Sequence, residues 1–545
     1  MIFEAECINS LEKIFPEQLE LTGKINRISA LLGETVSFQI ACRCDQPYWL
    51  FAESDSKNVT IREVALAPAE FVASDNTSAI LKKIPGLYPD PLMPLEKPVR
   101  MPQNQWRALW VTVKPGASDK AGEKIITIKV KAKNDFIDKT EIECQFIIDV
   151  FPVESSKQTL IHTEWFHADC IYSQYRIPCW SEEHWNLLEK YFQNFTSHGI
   201  NMLLTPLWTP PLDTAENGER PTVQLLDISY QNGIFSFDFS KLDRWIDSAL
   251  KCGVKYFEIV HPFTQWGAKY CPKIMVKNKG VMEKMFGWHT SSSSPEYILF
   301  LRTLFPELLA YLKQKNILNN CYFHISDEPT LNVIENYKAC EKIIRELIGE
   351  LPVIDALSHV ELYLSGAVKH PIPANDMIED FVEAKVAPLW TYYCVCQQKE
   401  VPNRFFNFPS YRNRIMGILM YKYNISGFLQ WGYNFWYTQF SLNTEINPFQ
   451  VTDAGRSFCS GDAFLVYPGE NGPVDSIRNE IQFEAIQDLC ALQKLESLIG
   501  RERVLDMLHD NLDYELSMRT QVMARTKQSI RLSFLRLNLK FLHLI

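Results

Sequence analysis

The chain has 545 residues, 46% hydrophobic and 22% charged, so it can bury a large core and is not a disordered polymer. Its formal charge of −10 argues against a partner held by phosphate attraction, so no nucleic acid is expected. No run of about 18 apolar residues occurs, which excludes a transmembrane helix. The start, Met1-Ile2-Phe3-Glu4-Ala5-Glu6, lacks the basic and apolar parts of a leader, and fourteen scattered cysteines form no disulfide framework. These features predict a reduced, cytoplasmic protein.

Residues 1–155 predict an all-β domain. Val36–Cys42, Leu109–Val113, Ile125–Val130 and Ile142–Val150 alternate or are rich in β-branched residues, and polar turns separate them. A β-sandwich is expected, with the Pro-rich stretch 85–102 as a long loop. From about residue 158 strand-length apolar runs alternate with helical segments, the rhythm of βα units around a parallel sheet. Strands are expected at Leu160–Phe166, Asn201–Pro206, Tyr256–Val260, Cys321–Ser326, Val353–Ala356, Val386–Tyr392, Gly427–Trp431 and Ala463–Tyr467. Helices are expected at 181–198, before Gly253, after Ser294-Pro295, at 330–349 and at 477–498. Eight such strands predict a (β/α)8 TIM-like barrel over 156–500, followed by a helical extension, 501–545. After Glu515 the chain holds six basic residues and no acid, a tail that could lie on a membrane surface or pack on its own protein.

Phosphate-cradling, zinc-protease and serine-elbow motifs are all missing. The close pairs Cys42/Cys44 and Cys394/Cys396 are too tight and isolated for a usual zinc site, so neither metal nor cofactor is expected. What stands out is Tyr322-Phe323-His324-Ile325-Ser326-Asp327-Glu328-Pro329, an apolar strand ending in adjacent carboxylates. At a barrel mouth, two repelling carboxylates can keep one proton for acid catalysis, as glycoside hydrolysis requires. The alternative is that Asp-Glu-Pro merely opens the next helix. Trp165, Trp208, Trp266, Trp390, Trp431 and Trp436 also fall at expected strand ends, where rings could stack on sugars or simply fill the core. His162, His261 and His324 lie there too, as candidate catalysts or structural histidines.

Several ordered pieces resemble glycoside hydrolase family 123 and the related domain of unknown function 4091. They are Thr163–Asp169, Ile325–Pro329, Trp390-Thr391-Tyr392, Pro402–Phe405, Gly427–Trp436, Tyr467-Pro468-Gly469 and Ser476-Ile477-Arg478. With Glu34–Gln39 in the β-region, the resemblance covers about residues 30–500. It implies a retaining β-N-acetylgalactosaminidase-like enzyme in which the substrate's acetamido oxygen attacks the anomeric carbon, giving an oxazoline-like intermediate. Carried onto this chain, Glu328 is the general acid and base, and Asp327 orients the acetamido N–H. Tyr392 would bond the acetamido oxygen, with Trp165, Trp431 and Trp436 shaping the pocket and Asn434 and His261 holding hydroxyls. The partner is then a glycan. Two other readings stay open: a glycosidase for another sugar using Glu164, Asp169 or Asp355 as nucleophile, and a non-catalytic carbohydrate-binding protein.

Overall fold

In the computed structural model, residues 1–74, 80–116, 120–135, 139–399 and 401–510 are described, and the basic tail after Glu515 lies outside them. The strands up to Glu154 build two five-stranded sheets. One runs in the order Phe3–Asn9, Val36–Cys44, Arg107–Val113, Val59–Ala69, Gly86–Pro94. The other runs Arg27–Leu32, Lys139–Glu154, Gly122–Lys133, Tyr48–Ser54, Val99–Met101. Alternation decides the faces: Ile126, Ile128, Val130 and Ala132 point into the core between the sheets, where Phe38 stacks on Phe146 at 3.9 Å. The expected Pro-rich loop is instead two strands, Gly86–Pro94 and Val99–Met101. Both are edge strands, where a missing N–H costs no ladder bond.

Val36–Cys44 is buried on both faces. Phe38, Ile40 and Cys42 face the sandwich core, while Ala41, with Ala108 and Trp110 of the next strand, joins the larger core of the second half. Buried and half-buried ion pairs cross the same seam. Arg478 holds Asp90 at 2.8 Å, and Arg62 reaches Asp475 at 2.7 Å and Glu480 at 2.5 Å.

Beyond residue 160 the centre is a curled parallel sheet. Its order is Cys321–Tyr322, Tyr256–Ile259, Met202–Thr205, Ile161–Glu164, Gly427–Gln430, Trp390–Tyr392. Ile354–Leu357 and His370–Pro373 form a second parallel pair, tied to the first sheet by single bridges Phe323–Val353 and Ala374–Tyr392. Helices Glu182–Ser197, Ser240–Lys251, Pro295–Gln314, Ile334–Ile348 and Ile477–Ile499 occupy the expected places. Ser181, Ser294 and Ser476 cap three of them by accepting a backbone N–H, as their hydroxyls permit.

One strand expectation is corrected and one strand was not foreseen. His370–Pro373, which no expectation covered, is a strand paired with Ile354–Leu357. Ala463–Val466 is fully buried but belongs to no strand, bonding through its backbone to Tyr433 and Phe435. An apolar run reports burial, and burial does not require a ladder. A further four-stranded sheet, Ile234–Asp238, Asp227–Gln231, Ile274–Asn278, Val281–Phe286, was not foreseen, although Asn232-Gly233 is a strong hairpin turn. No described helix is long and apolar enough to cross a membrane.

Candidate active site

Immediately after Tyr322 the chain leaves its strand, and side chains take over the backbone bonds. Ile325 N donates to the Asp355 carboxylate at 3.1 Å, and Ser326 Oγ donates to Thr264 O at 2.8 Å. Trp266 N then donates to Asp327 O at 2.8 Å, which clamps the acidic pair against the loop after Tyr256–Ile259. Glu328 sits at φ 44°, although a residue before proline normally stays extended. Asp213, Trp266 and Phe440, which share its cavity, are also left-handed, with φ of 40°, 58° and 59°. Strain of this kind persists where surrounding bonds over-determine it, and it gathers at functional sites.

The cavity has a volume of about 250 Å³. Asp327, Glu328, Trp165, Tyr392 and Trp431 all line it, joined by Asp213, His167, Gln265, Trp266, Cys394 and Cys396. Tyr392 donates its hydroxyl to Glu328 Oε1 at 2.8 Å. Burial raises the Glu328 carboxyl, against the hydrogen bonds from Tyr392 and Trp266. Burial raises Asp327 well above the usual range, and repulsion from Glu328 and Asp355 adds to it. The two therefore titrate as one unit that keeps a proton beyond ordinary carboxylate pH.

Below the pair lies a buried ionic floor. Burial would lower the His324 imidazole, but hydrogen bonds to Asp355 at 2.9 Å and Glu258 at 2.6 Å outweigh it and lift it to about 10. Glu258 also accepts from Thr163 at 2.5 Å and from the Trp165 indole at 2.7 Å, which locks that ring into the cavity floor. The buried imidazolium in turn favours the anion of Asp327.

The remaining expected site residues are elsewhere. His261 is buried, stacked on His324 at 3.9 Å, and does not reach the cavity. Asn434 spends its amide on the backbone of His167, accepting from its N at 2.8 Å and donating to its O at 3.0 Å. Trp436 is buried behind the wall, donating to Val466 O. Each looked accessible because it follows a strand end, but the loops there fold back into the core.

The three alternative nucleophiles are also committed away from the cavity. Glu164 pairs with Arg404 at 2.8 Å, Asp169 with Arg220 at 2.9 Å, and Asp355 holds His324, Tyr337 and Ile325 N. The carboxylate missed from sequence is Asp213. Its Oδ2 accepts from Phe440 N at 3.0 Å, and burial raises it to about 6. No strand-end signal marks it, because it lies on the long loop between Met202–Thr205 and Asp227–Gln231. Trp431 is likewise anchored, donating to Asp462 at 2.9 Å, and burial lifts that carboxyl to about 7. Trp266, 45% exposed, is the open aromatic of the rim.

His261, His324 and Asp355 lie close enough to share a cation. Both nitrogens of His324 already face carboxylates, so this cluster is balanced by a proton.

Among known proteins, residues 165–495 match the family model for the glycoside hydrolase 123 catalytic domain. A solved family 123 glycoside hydrolase from Clostridium perfringens, described for glycolipid glycan hydrolysis, is similar over 100% of both chains, with TM-score 0.75 and 15% identity. A family 39 glycoside hydrolase from Bacteroides cellulosilyticus aligns over 86% of this chain and 82% of its own, at TM-score 0.35 and 8% identity. No curated protein matches the sequence. Since the family model spans more than half of the residues and takes in both halves of the cavity wall, the chain belongs to glycoside hydrolase family 123.

Proposed function

We propose that this glycoside hydrolase removes terminal β-linked N-acetylhexosamine, foremost N-acetylgalactosamine, with retention and with the substrate's acetamido group as nucleophile. The observation that carries the reading is the cavity itself: an acidic pair, one carboxyl bonded to a tyrosine, while Glu164, Asp169 and Asp355 are locked outside. A volume near 250 Å³ suits one sugar unit better than a chain. The family 123 relative's described action on glycolipid glycans agrees with a glycan substrate.

In this mechanism Glu328 protonates the glycosidic oxygen as the acetamido oxygen closes on the anomeric carbon. Asp327 accepts the acetamido N–H and offsets the positive charge growing on the oxazoline nitrogen. That hydrogen bond favours the Asp327 anion, so the pair's shared proton moves to Glu328, where the acid is needed. Glu328 then takes a proton from the water that opens the intermediate. Tyr392 steadies Glu328, and Asp213 accepts from a sugar hydroxyl. The architecture we assign is a sandwich, 1–155, a (β/α)8 barrel, 156–500, whose ring is completed by the two single bridges, and an extension, 501–545. The free thiols suit the reducing, cytoplasmic setting expected from the sequence.

Asp213 favours a second reading, because it is a carboxylate in the cavity beyond the pair and could serve as a nucleophile for a sugar without an acetamido group. Release of 4-nitrophenol from the β-N-acetylgalactosaminide, β-N-acetylglucosaminide and β-galactoside separates the two. Turnover of acetamido sugars alone, with strong inhibition by a thiazoline mimic of the oxazoline, is expected. Turnover of the plain galactoside, insensitive to the thiazoline, would overturn substrate assistance.

A further inference from the structure

Two thiols line the catalytic cavity, and the mechanism uses neither of them. Cys394 and Cys396 occupy the first and third positions of a turn closed by Gln397 N donating to Cys394 O at 3.2 Å. Such a turn brings these positions closer than the ~6.6 Å of extended chain, well inside the ~4.4–6.8 Å that a disulfide spans between Cα atoms. The two side chains interact, and the interaction with Cys394 pulls the Cys396 thiol down. Of the fourteen free cysteines Cys396 is the exposed one, so a reagent reaches it first. Cys394 is reserved behind it, its sulfur donating to Gln397 Oε1 at 3.3 Å. Two residues before Cys394 stands Tyr392, whose hydroxyl bonds Glu328.

We propose that Cys394 and Cys396 are a redox-active dithiol site in the cavity wall, closed to a disulfide by exchange with a small disulfide such as oxidised glutathione. The Cys396 thiolate attacks one glutathione sulfur, forming a mixed disulfide and expelling a glutathione thiolate. Cys394 then loses its proton and attacks Cys396 Sγ, expelling the second glutathione. The protein loses two protons and two electrons, and one oxidised glutathione becomes two thiols. Closure takes Cys394 Sγ off Gln397 and drags the wall beside Tyr392, so the acidic pair loses its tuned partner.

The test treats the reduced full-length enzyme with oxidised glutathione, then reads peptide masses and turnover of the nitrophenyl glycoside it cleaves. Trypsin leaves both cysteines in one peptide, 386–399. The expected result is loss of two hydrogens in that peptide together with a fall in turnover of about 10²-fold, the scale of a small misplacement in an active site. Dithiothreitol should restore both. Cys394→Ser and Cys396→Ser, each compared with its own untreated form, should show neither the closed peptide nor the reversible fall it causes. Modification that stops at a mixed disulfide on Cys396, no modification of the peptide, or a closed disulfide with unaltered turnover would each overturn the proposal. The mass readout is independent of the sugar preferred, so its failure is distinguishable from failure of the functional reading.

Discussion

Folding holds the Asp213 carboxyl at about 6, against an ordinary value of 3.8, because burial disfavours its anion. The folded state thus binds the proton more tightly than the unfolded state, and stability falls as pH rises from the lower value to the upper. At neutral pH the cost is at most about 3 kcal/mol, at ~1.4 kcal/mol per pH unit. Asp213→Asn cannot ionise, so its melting temperature should exceed the parent's by a few degrees at pH 7.5, and the gain should shrink toward pH 4. If Asp213 receives a sugar hydroxyl, the same variant should also raise KM, a trade of stability for binding. Glu328→Gln should lose at least about 10²-fold in kcat/KM on glycosides with poor leaving groups and less on nitrophenyl glycosides, which need less protonation. Asp327→Asn should harm both classes. It should also move the alkaline limb of the pH–rate profile to lower pH, because a negative neighbour that raises the acid has gone. The identity of this pair was legible as Asp-Glu-Pro after an apolar run. Asp213 was not, because a loop residue's neighbours, here Phe440 and Gln265, are remote in the chain.

Strand ends carry the polar architecture that holds the cavity in shape. Buried Arg404 donates to Glu164 at 2.8 Å, to Gly432 O at 2.8 Å, to Asp462 O at 3.1 Å and to the Gln430 side chain. It thereby joins Ile161–Glu164, Gly427–Gln430 and the loop that anchors Trp431. Removing one partner of such a pair leaves a buried charge uncompensated, so Arg404→Ala should cost ~3–5 kcal/mol. Chemical denaturation should show Arg404→Ala and Glu164→Ala to be clearly non-additive in the double variant. Arg404 stood among the pieces of sequence resemblance, yet its partner could be identified only once two strands were adjacent. The same holds for the strands themselves. Hydrophobic runs announced seven of those expected, whereas His370–Pro373 pairs because a neighbouring strand supplies donors that its own prolines lack.

The sandwich and the catalytic half share one large core through Ala41, Ala108 and Trp110, and Arg478, which also donates to the carbonyl of Gly461 in its own half, reaches back across the seam to Asp90. Tyr467 donates to the same aspartate at 2.5 Å. The halves should therefore unfold together, giving one calorimetric transition, and Arg478→Ala should lower that single transition by several degrees. Two separate transitions, with only one shifted, would show that the seam is energetically independent.

Local chain chemistry by itself determined the all-β start, the alternating second half, the capped helices and the acidic pair, because periodicity, capping and proline act over a few residues. Tertiary structure decided which strand-end aromatics face the cavity and which are core, since Trp165, Trp431 and Trp436 follow similar runs but only the first two line it. It also decided that three plausible nucleophiles are held by partners outside the cavity and that Asp213, Trp266 and the Cys394–Cys396 turn line it. Those outcomes depend on ion pairs and packing between residues far apart in the chain, which no local pattern encodes.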